Sequence, residues 1–396
     1  LRRGPLRARA MNALKLWAGR IGRGILEPSR YRQRSRIFTS EAAYWMGQGR
    51  CPAPQGIYLN VNNVCNLKCR MCDVGTGDGG SSFYDHMLEH GKDDPMSLEE
   101  WKRFLDQVAP FKPLIYLTST EPLLYKGVAE LVAHASSRGL VTQITTNAFL
   151  LERHAEPLVA AGLKRLNVSL DGDAEVHDRI RGVLGSFRRA ADGVRTLREA
   201  AKARGTKAPF VHLNSTICDL NYDRLPETLQ ALLPLKPDSL AFSHLGYISP
   251  EIAKRHSELF PQYAMQQSCD SESGRQAIDI HRLAEGMARV RAEAPRGLTL
   301  FFFPEIPVDR LEDYYRRPEL FLEGKRCHQA WTDAQVLSNG DVVPQIRCVS
   351  EVYGNVRRTA FLEVWNGGKA RAFRRLLRKG TPFPICSRCC SIFKST

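Results

Sequence analysis

From residue 57 onward the chain alternates β-rich and helix-periodic segments, and this alternation constrains the fold more than any other feature. Strand-like runs read at 57–63, 114–119, 140–146, 165–170, 210–217 and 238–243. Helical patterns lie between them near 97–109, 124–138, 151–161, 187–204 and 222–233. Strands separated by helices pair side by side in one direction, which predicts an α/β fold with a parallel sheet. Ser97-Leu-Glu-Glu100 forms a capping box that fixes the start of the first helix. Residues 247–297 read as mostly helical, and Leu298–Phe303 as a short buried strand leading into a last, smaller domain.

Three cysteines follow the first strand in Val-Cys65-Asn-Leu-Lys-Cys69-Arg-Met-Cys72. Three thiolates at this spacing suit three corners of a four-iron cluster and leave one iron without a protein ligand. Electron-transfer clusters normally take four cysteines. A zinc knuckle with a fourth ligand from elsewhere, or three unligated thiols, are the other readings of the spacing. The chain has eleven cysteines, and five more gather at 327, 348, 386, 389 and 390. Clustering at ligand spacing with no secretory signal reads as metal chemistry in a reducing cytoplasm rather than a disulfide framework.

A strand followed by Cys-x3-Cys-x2-Cys resembles the signature of the radical S-adenosylmethionine (SAM) superfamily. The resemblance implies that Cys65, Cys69 and Cys72 hold a [4Fe-4S] cluster whose open iron binds SAM, which reduction cleaves to a 5′-deoxyadenosyl radical. It also implies a partial (βα)6 TIM-like barrel over 57–300, enlarged by helices at 247–297, with its chemistry at the C-terminal strand ends. Thr118-Ser119-Thr120-Glu121-Pro122 resembles the family's Gly-Gly-Glu-Pro motif, with Ser119 and Thr120 in place of both glycines, and by this likeness Glu121 contacts the SAM amino group. Ile144-Thr-Thr-Asn147 resembles the ending of the family's third strand. Val168-Ser169-Leu-Asp171-Gly172 with His177-Asp-Arg179-Ile-Arg181 resembles a fourth-strand signature, in which Ser169 and Arg181 contact the ribose and carboxylate of SAM. Met71 stands where the family often places an aromatic near adenine.

The C-terminal order is similar to the SPASM or shorter twitch extension of one branch of that family. It runs Cys327-His-Gln-Ala-Trp331, an Asn339-Gly340 hairpin signal, Cys348, Tyr353-Gly-Asn, Val364-Trp-Asn-Gly and Cys386-Ser-Arg-Cys389-Cys390. The likeness implies a β-hairpin/cysteine-rich domain over 301–396. In it one auxiliary [4Fe-4S] cluster rests on Cys327, Cys348, Cys386 and Cys389, with Cys390 a substitute for Cys389. A zinc ribbon on the same four thiols is the alternative.

The formal charge of +15 is concentrated at the start, where residues 1–40 hold eleven Lys/Arg against one acid. Residues 1–56 read as a basic, partly flexible extension. Within it Leu14, Trp17, Ile21 and Ile25 fall near one helical face, a candidate for peripheral contact with anionic lipid, against a frayed basic leader. No apolar run reaches spanning length, so the expectation is a cytoplasmic chain with a membrane-associated variant of it. A second basic run, Lys369–Lys379, reads as a solvated helix face, and no aromatic-studded basic motif points to nucleic acid.

Resemblance to this branch implies an oxidoreductase that abstracts a hydrogen atom, fed by a flavodoxin- or ferredoxin-type reductant. Only about 56 residues precede the barrel, too few for a leader-binding domain beside a basic tail. The first expectation is therefore a small polar substrate, such as a sugar or aminocyclitol, that is dehydrogenated or epimerised. A maturase of ribosomal peptides and a non-catalytic metal protein on a decayed barrel are the alternatives. Cys218, just past the fifth strand, is a candidate hydrogen-atom donor, against the commoner reading of buried filler. His244, after the sixth, is a candidate substrate contact, against a satisfied loop histidine.

Overall fold

A computed structural model describes residues 40–85, 94–118, 120–322, 326–345, 348–349, 351–380 and 382–393. The basic segment with Leu14, Trp17, Ile21 and Ile25 lies outside them, as does Ser119.

The six expected strands are β1 (Gly56–Leu59), β2 (Leu114–Leu117), β3 (Val141–Thr146), β4 (Arg165–Ser169), β5 (Phe210–Ile217) and β6 (Ser239–His244). They pair in sequence order and in parallel. Between them run α1 (Leu98–Val108), α2 (Val128–Ser137), α3 (Leu151–Ala160), α4 (Ala174–Arg181), α5 (Ser186–Ala203) and α6 (Leu225–Leu232). The capping box at Ser97 is present, with Glu100 Oε2 accepting from Ser97 N at 2.8 Å. Strand periodicity sorts the two faces. Ile57, Leu59, Ile115, Leu166, Val168 and Leu213 are fully buried under the helices. Tyr58, Tyr116, Gln143, Asn167, His212 and Asn214 alternate with such residues and are only half-buried, so the concave face is polar. Tyr58 and Tyr116 stack across it, 4.4 Å between ring centres.

The sheet does not stop at six strands. After α7 (Pro250–Leu259) and α8 (Ile280–Glu293), β7 (Thr299–Phe303) adds in parallel to β6. After α9 (Leu311–Arg316), β8 (Asp333–Val336) adds in parallel to β1. Strands β9 (Asp341–Val343) and β10 (Gly354–Asn355) then continue antiparallel, giving one open ten-stranded sheet edged by β10 and β7. The Asn339-Gly340 hairpin is real, closed by Gly340 N to Leu337 O at 2.9 Å, but it extends the barrel sheet rather than forming its own. The expectation of a buried strand at 298–303 is corrected. With no strand beyond it, β7 leaves Phe301 40% exposed, and within β7 only Phe302 is fully packed.

The C-terminal helices α10 (Phe361–Trp365) and α11 (Gly368–Lys379) close the end of the molecule. The reading of 369–379 as a wholly solvated basic face is also corrected, because Arg374 is completely buried. Its guanidinium donates to the carbonyls of Ala330, Gly49 and Trp365 and lies 4.0 Å from the Trp365 ring centre. Carbonyl partners and the aromatic face replace the water an arginine otherwise requires. Residues 40–56 pack on the C-terminal segment. Tyr44 packs on Trp331, and the Cys51 backbone pairs both ways with the Asn366 side chain.

Candidate active site

The loop after β1 carries Cys65, Cys69 and Cys72 over the C-terminal ends of the parallel strands. Helix α4 ends directly beneath it, and its last carbonyls accept from the loop, Ile180 O from Arg70 N at 2.9 Å and Arg181 O from Lys68 N at 3.1 Å. These are acceptors every helix end leaves unsatisfied. Gly182 makes the approach possible. It stands at φ +69°, and a Cβ there would collide with the Lys68 carbonyl oxygen. Gly182→Ala is therefore expected to cost about 1–2 kcal/mol in backbone strain alone and to push the cysteine loop off α4. Gly185, also left-handed at φ +77° but with open space around it, serves as the control. Iron content and thermal melting of the two alanine variants check this, with loss of iron expected only for Gly182→Ala.

The donor set fits an iron–sulfur cluster. Cys69 is buried, Cys72 half-buried and Cys65 exposed. Arg181 Nη1 lies 3.7 Å from Cys69 Sγ and Asn147 Nδ2 lies 3.9 Å from Cys65 Sγ, so two of the sulfurs already face N–H donors suited to thiolates. Burial pushes the Cys69 thiol up to about 11, and the neighbouring Arg181 charge opposes that rise. Bound iron supplies the missing stabilisation of the thiolate.

Around the loop, the expected SAM contacts fall into two hydrogen-bonded groups, Glu121 with Asn147 and Arg181 with Asp171, and two residues outside them, Ser169 and Met71. Glu121 is buried, and its carboxylate accepts from Thr146 Oγ1 at 2.6 Å, Asn147 N at 2.8 Å and Leu123 N at 3.0 Å. Thr120, in a position where the family has glycine, uses its hydroxyl on Asn62, 2.6 Å from Oδ1. The Arg181 guanidinium is held by Asp171, Nε to Oδ2 at 2.6 Å, and Asp171 Oδ1 accepts from Thr216 N. Burial disfavours the Arg181 charge, but Asp171 and the Cys69 thiolate together raise its pKa. Ser169 ends β4, half-buried, and Met71 packs with Val176, Ile180 and Cys218.

Asp73 has no counterpart in the sequence reading. Its buried carboxylate accepts from the Ser81 hydroxyl, from Ser268 Oγ at 3.0 Å and from Cys269 N at 2.8 Å. It ties the residue after Cys72 to the segment beyond α7. A carboxylate next to the last cysteine was the available signal, but two of its partners, Ser268 and Cys269, are 195 and 196 residues away.

Beyond the cysteine loop, a cavity of about 280 Å³ opens at the ends of β5, β6 and β7. Thr216, Ser243 and His244 form its barrel wall, and Gln345, Arg388, Cys389 and Cys390 form the opposite wall. Arg388 is 2% exposed and donates to the backbone carbonyls of Asp313, Tyr314, Arg317, Ser387 and Leu320, with the Tyr247 side chain also beside it. His244 lines the cavity, whereas Cys218 does not. Cys218 sits in the apolar cluster with Val176 and Ile180, where burial pushes its thiol up to about 12. Cys386 feels the charges of Cys348 and Cys327, and Cys389 those of Cys390, Cys386 and Cys327, although no three of them stand at metal-ligand spacing among the described residues. Burial raises the Cys386 thiol, and the charges of Cys348 and Cys327 raise it further. The Cys389 thiol is raised first by Cys390, then by burial and by Cys386 and Cys327. Cys390 is the exposed member.

Comparison with known proteins agrees with this geometry. The radical SAM superfamily matches residues 59–232, and the SPASM iron–sulfur cluster-binding domain matches 327–390. Fe-coproporphyrin III synthase of Methanosarcina barkeri is 31% identical over 226 residues, 57% of this chain and 50% of that protein. PqqA peptide cyclase of Rhodopseudomonas palustris is 29% identical over 219 residues, 54% of this chain and 53% of that protein. The chain thus spans about half the length of the curated relatives it matches first. Streptococcus suis SuiB, solved bound to the precursor peptide SuiA, superposes with a TM-score of 0.57 at 17% identity, covering 89% of this chain and 73% of that one. Among the described residues no helix is long and apolar enough to cross a membrane.

Proposed function

The chain is a radical SAM enzyme with a C-terminal SPASM iron–sulfur domain, and from that premise we propose that it modifies one side chain of a peptide substrate. The observation that carries this reading is the cavity. At about 280 Å³ it falls just below the range of ordinary ligand sites, about 300–1,000 Å³. That volume takes one residue's side chain, with the rest of the substrate left outside. The peptide cyclase among the relatives points the same way, and a free sugar or aminocyclitol has no such support. A porphyrin-like substrate, in keeping with the coproporphyrin synthase relative, would offer only one peripheral substituent to a cavity of this size.

When bound at Cys65, Cys69 and Cys72, the cluster with SAM supplies a 5′-deoxyadenosyl radical as hydrogen-atom abstractor. The protein's part is positional. Arg181 and Asn147 hold donors toward the cysteine sulfurs, and Asp171 keeps the Arg181 fork in place. Ser169, Met71 and Glu121 surround the remaining SAM-side space. Cys327, Cys348, Cys386 and Cys389 would hold one auxiliary cluster, which would supply one-electron redox chemistry. Cys390 stays at the cavity wall, beside Cys389. A flavodoxin- or ferredoxin-type protein delivers the reducing electron. Cys218, away from the cavity, is packing rather than hydrogen-atom donor.

The test is an anaerobic reaction of reconstituted protein with SAM, dithionite and either a peptide library or a set of porphyrinogens, read by mass spectrometry. Peptide products two or more mass units from substrate, unchanged in Cys218→Ala, support the reading. Conversion of porphyrinogens alone overturns it.

A further inference from the structure

His244 lines the cavity, and its Nε2 is buried with no hydrogen-bond partner among the described residues. The other ring nitrogen is engaged, with Nδ1 2.7 Å from the Tyr315 hydroxyl. His244 is 4% exposed and is boxed by the rings of Tyr314 and Tyr315, centres at 5.4 and 5.8 Å. The hydrogen-bond accounting fixes the tautomer. If Nδ1 carried the hydrogen, the Tyr315 hydroxyl would have to accept it, and the hydroxyl's own hydrogen would be stranded in a buried site. If the hydroxyl donates to Nδ1, its hydrogen is used and Nε2 carries the ring hydrogen.

We infer that His244 Nε2–H, fixed by Tyr315, is a hydrogen-bond donor that holds an acceptor oxygen of the substrate in the cavity, which on the peptide reading above is an amide carbonyl. His244 is thus a positioning and specificity group rather than a base. Burial, and after it the Arg291 charge, lower its pKa to about 3. Tyr247, Tyr314, Arg388, Cys389 and Cys390 are the other ionisable groups of the cavity wall. A neutral imidazole whose Nδ1 is capped by a phenol offers a donor and nothing else. A buried donor left without an acceptor is costly, which selects substrates that bring one.

The experiment uses holoprotein labelled with 15N-histidine. The chain has ten histidines, and the signal lost in His244→Gln assigns the one in question. Expected is a bare Nδ1 and a protonated Nε2 that stays neutral down to pH 5, with the tautomer scrambled in Tyr315→Phe. Titration with N-acetylalanine N-methylamide is expected to shift the Nε2–H signal. His244→Leu is expected to weaken binding of this amide about tenfold, as loss of one hydrogen bond predicts, and His244→Gln, which retains an N–H, to stay within about threefold. Melting temperatures of the three variants near wild type keep the comparison free of folding effects. A protonated Nδ1, or an Nε2–H that neither the amide nor myo-inositol shifts, overturns the inference. A shift with myo-inositol and none with the amide leaves the donor standing and removes the peptide reading.

Discussion

Replacing Cys65, Cys69 and Cys72 together by alanine is expected to abolish 5′-deoxyadenosine formation while leaving a folded protein that keeps about half of its iron, the half held by a second four-iron site. The loop these residues occupy is anchored by backbone bonds from Lys68 and Arg70 to the end of α4, and none of those bonds uses a thiol. The auxiliary cysteines belong to a different end of the chain, around Cys386 and the Arg388 wall. Iron analysis, a urea unfolding curve and mass spectrometry of the SAM reaction check the three parts separately. Deoxyadenosine at the wild-type rate would place SAM cleavage elsewhere, and loss of all iron would mean that the two sets assemble as one.

The second large effect is expected at Asp171. Its carboxylate is fully buried and pairs at 2.6 Å with the nearly buried Arg181 guanidinium. Asp171→Ala strands that cation, which costs about 3–5 kcal/mol when a buried pair is broken from one side. It also frees Arg181 from the geometry that brings Nη1 to Cys69, so iron retention is expected to fall along with stability. The double variant Asp171→Leu/Arg181→Met removes both charges and is expected to recover much of the stability and none of the iron-site function. Urea unfolding of the wild type, Asp171→Leu, Arg181→Met and the double variant gives the coupling. Stability of the double variant no better than that of Asp171→Ala would show that the fold needs the charge pair for more than mutual compensation.

Strands β1 to β6 were legible because β-rich runs and helical periods are local signals, and each strand lies within a few residues of its expected position. The cysteine loop was legible for the same reason, since the spacing of three residues is itself local. Helix α4 was not read as a helix, since its polar sequence around His177 and Arg179 carries a weak apolar stripe. Arg374 and Arg388 could not be read as interior residues. What buries them is a set of carbonyl oxygens from distant segments, and every residue has a carbonyl. The same holds for Asp73, whose partners Ser268 and Cys269 are ordinary in sequence. The cavity too is a property of assembly, because its two walls come from β6 and from the last cysteine segment.

The pairing of β8 with β1 means that the C-terminal segment covers a raw border of the barrel. Gly56 through Leu59 lie beside Asp333 through Val336 in parallel register. A chain cut after β7 would present β1 to solvent as an unpaired ladder of amide and carbonyl groups, backed by the apolar Ile57 and Leu59. Such a border recruits other chains. The iron-binding tail is therefore also a guard against self-association, and the barrel on its own is expected to be a sticky fragment rather than a minimal enzyme.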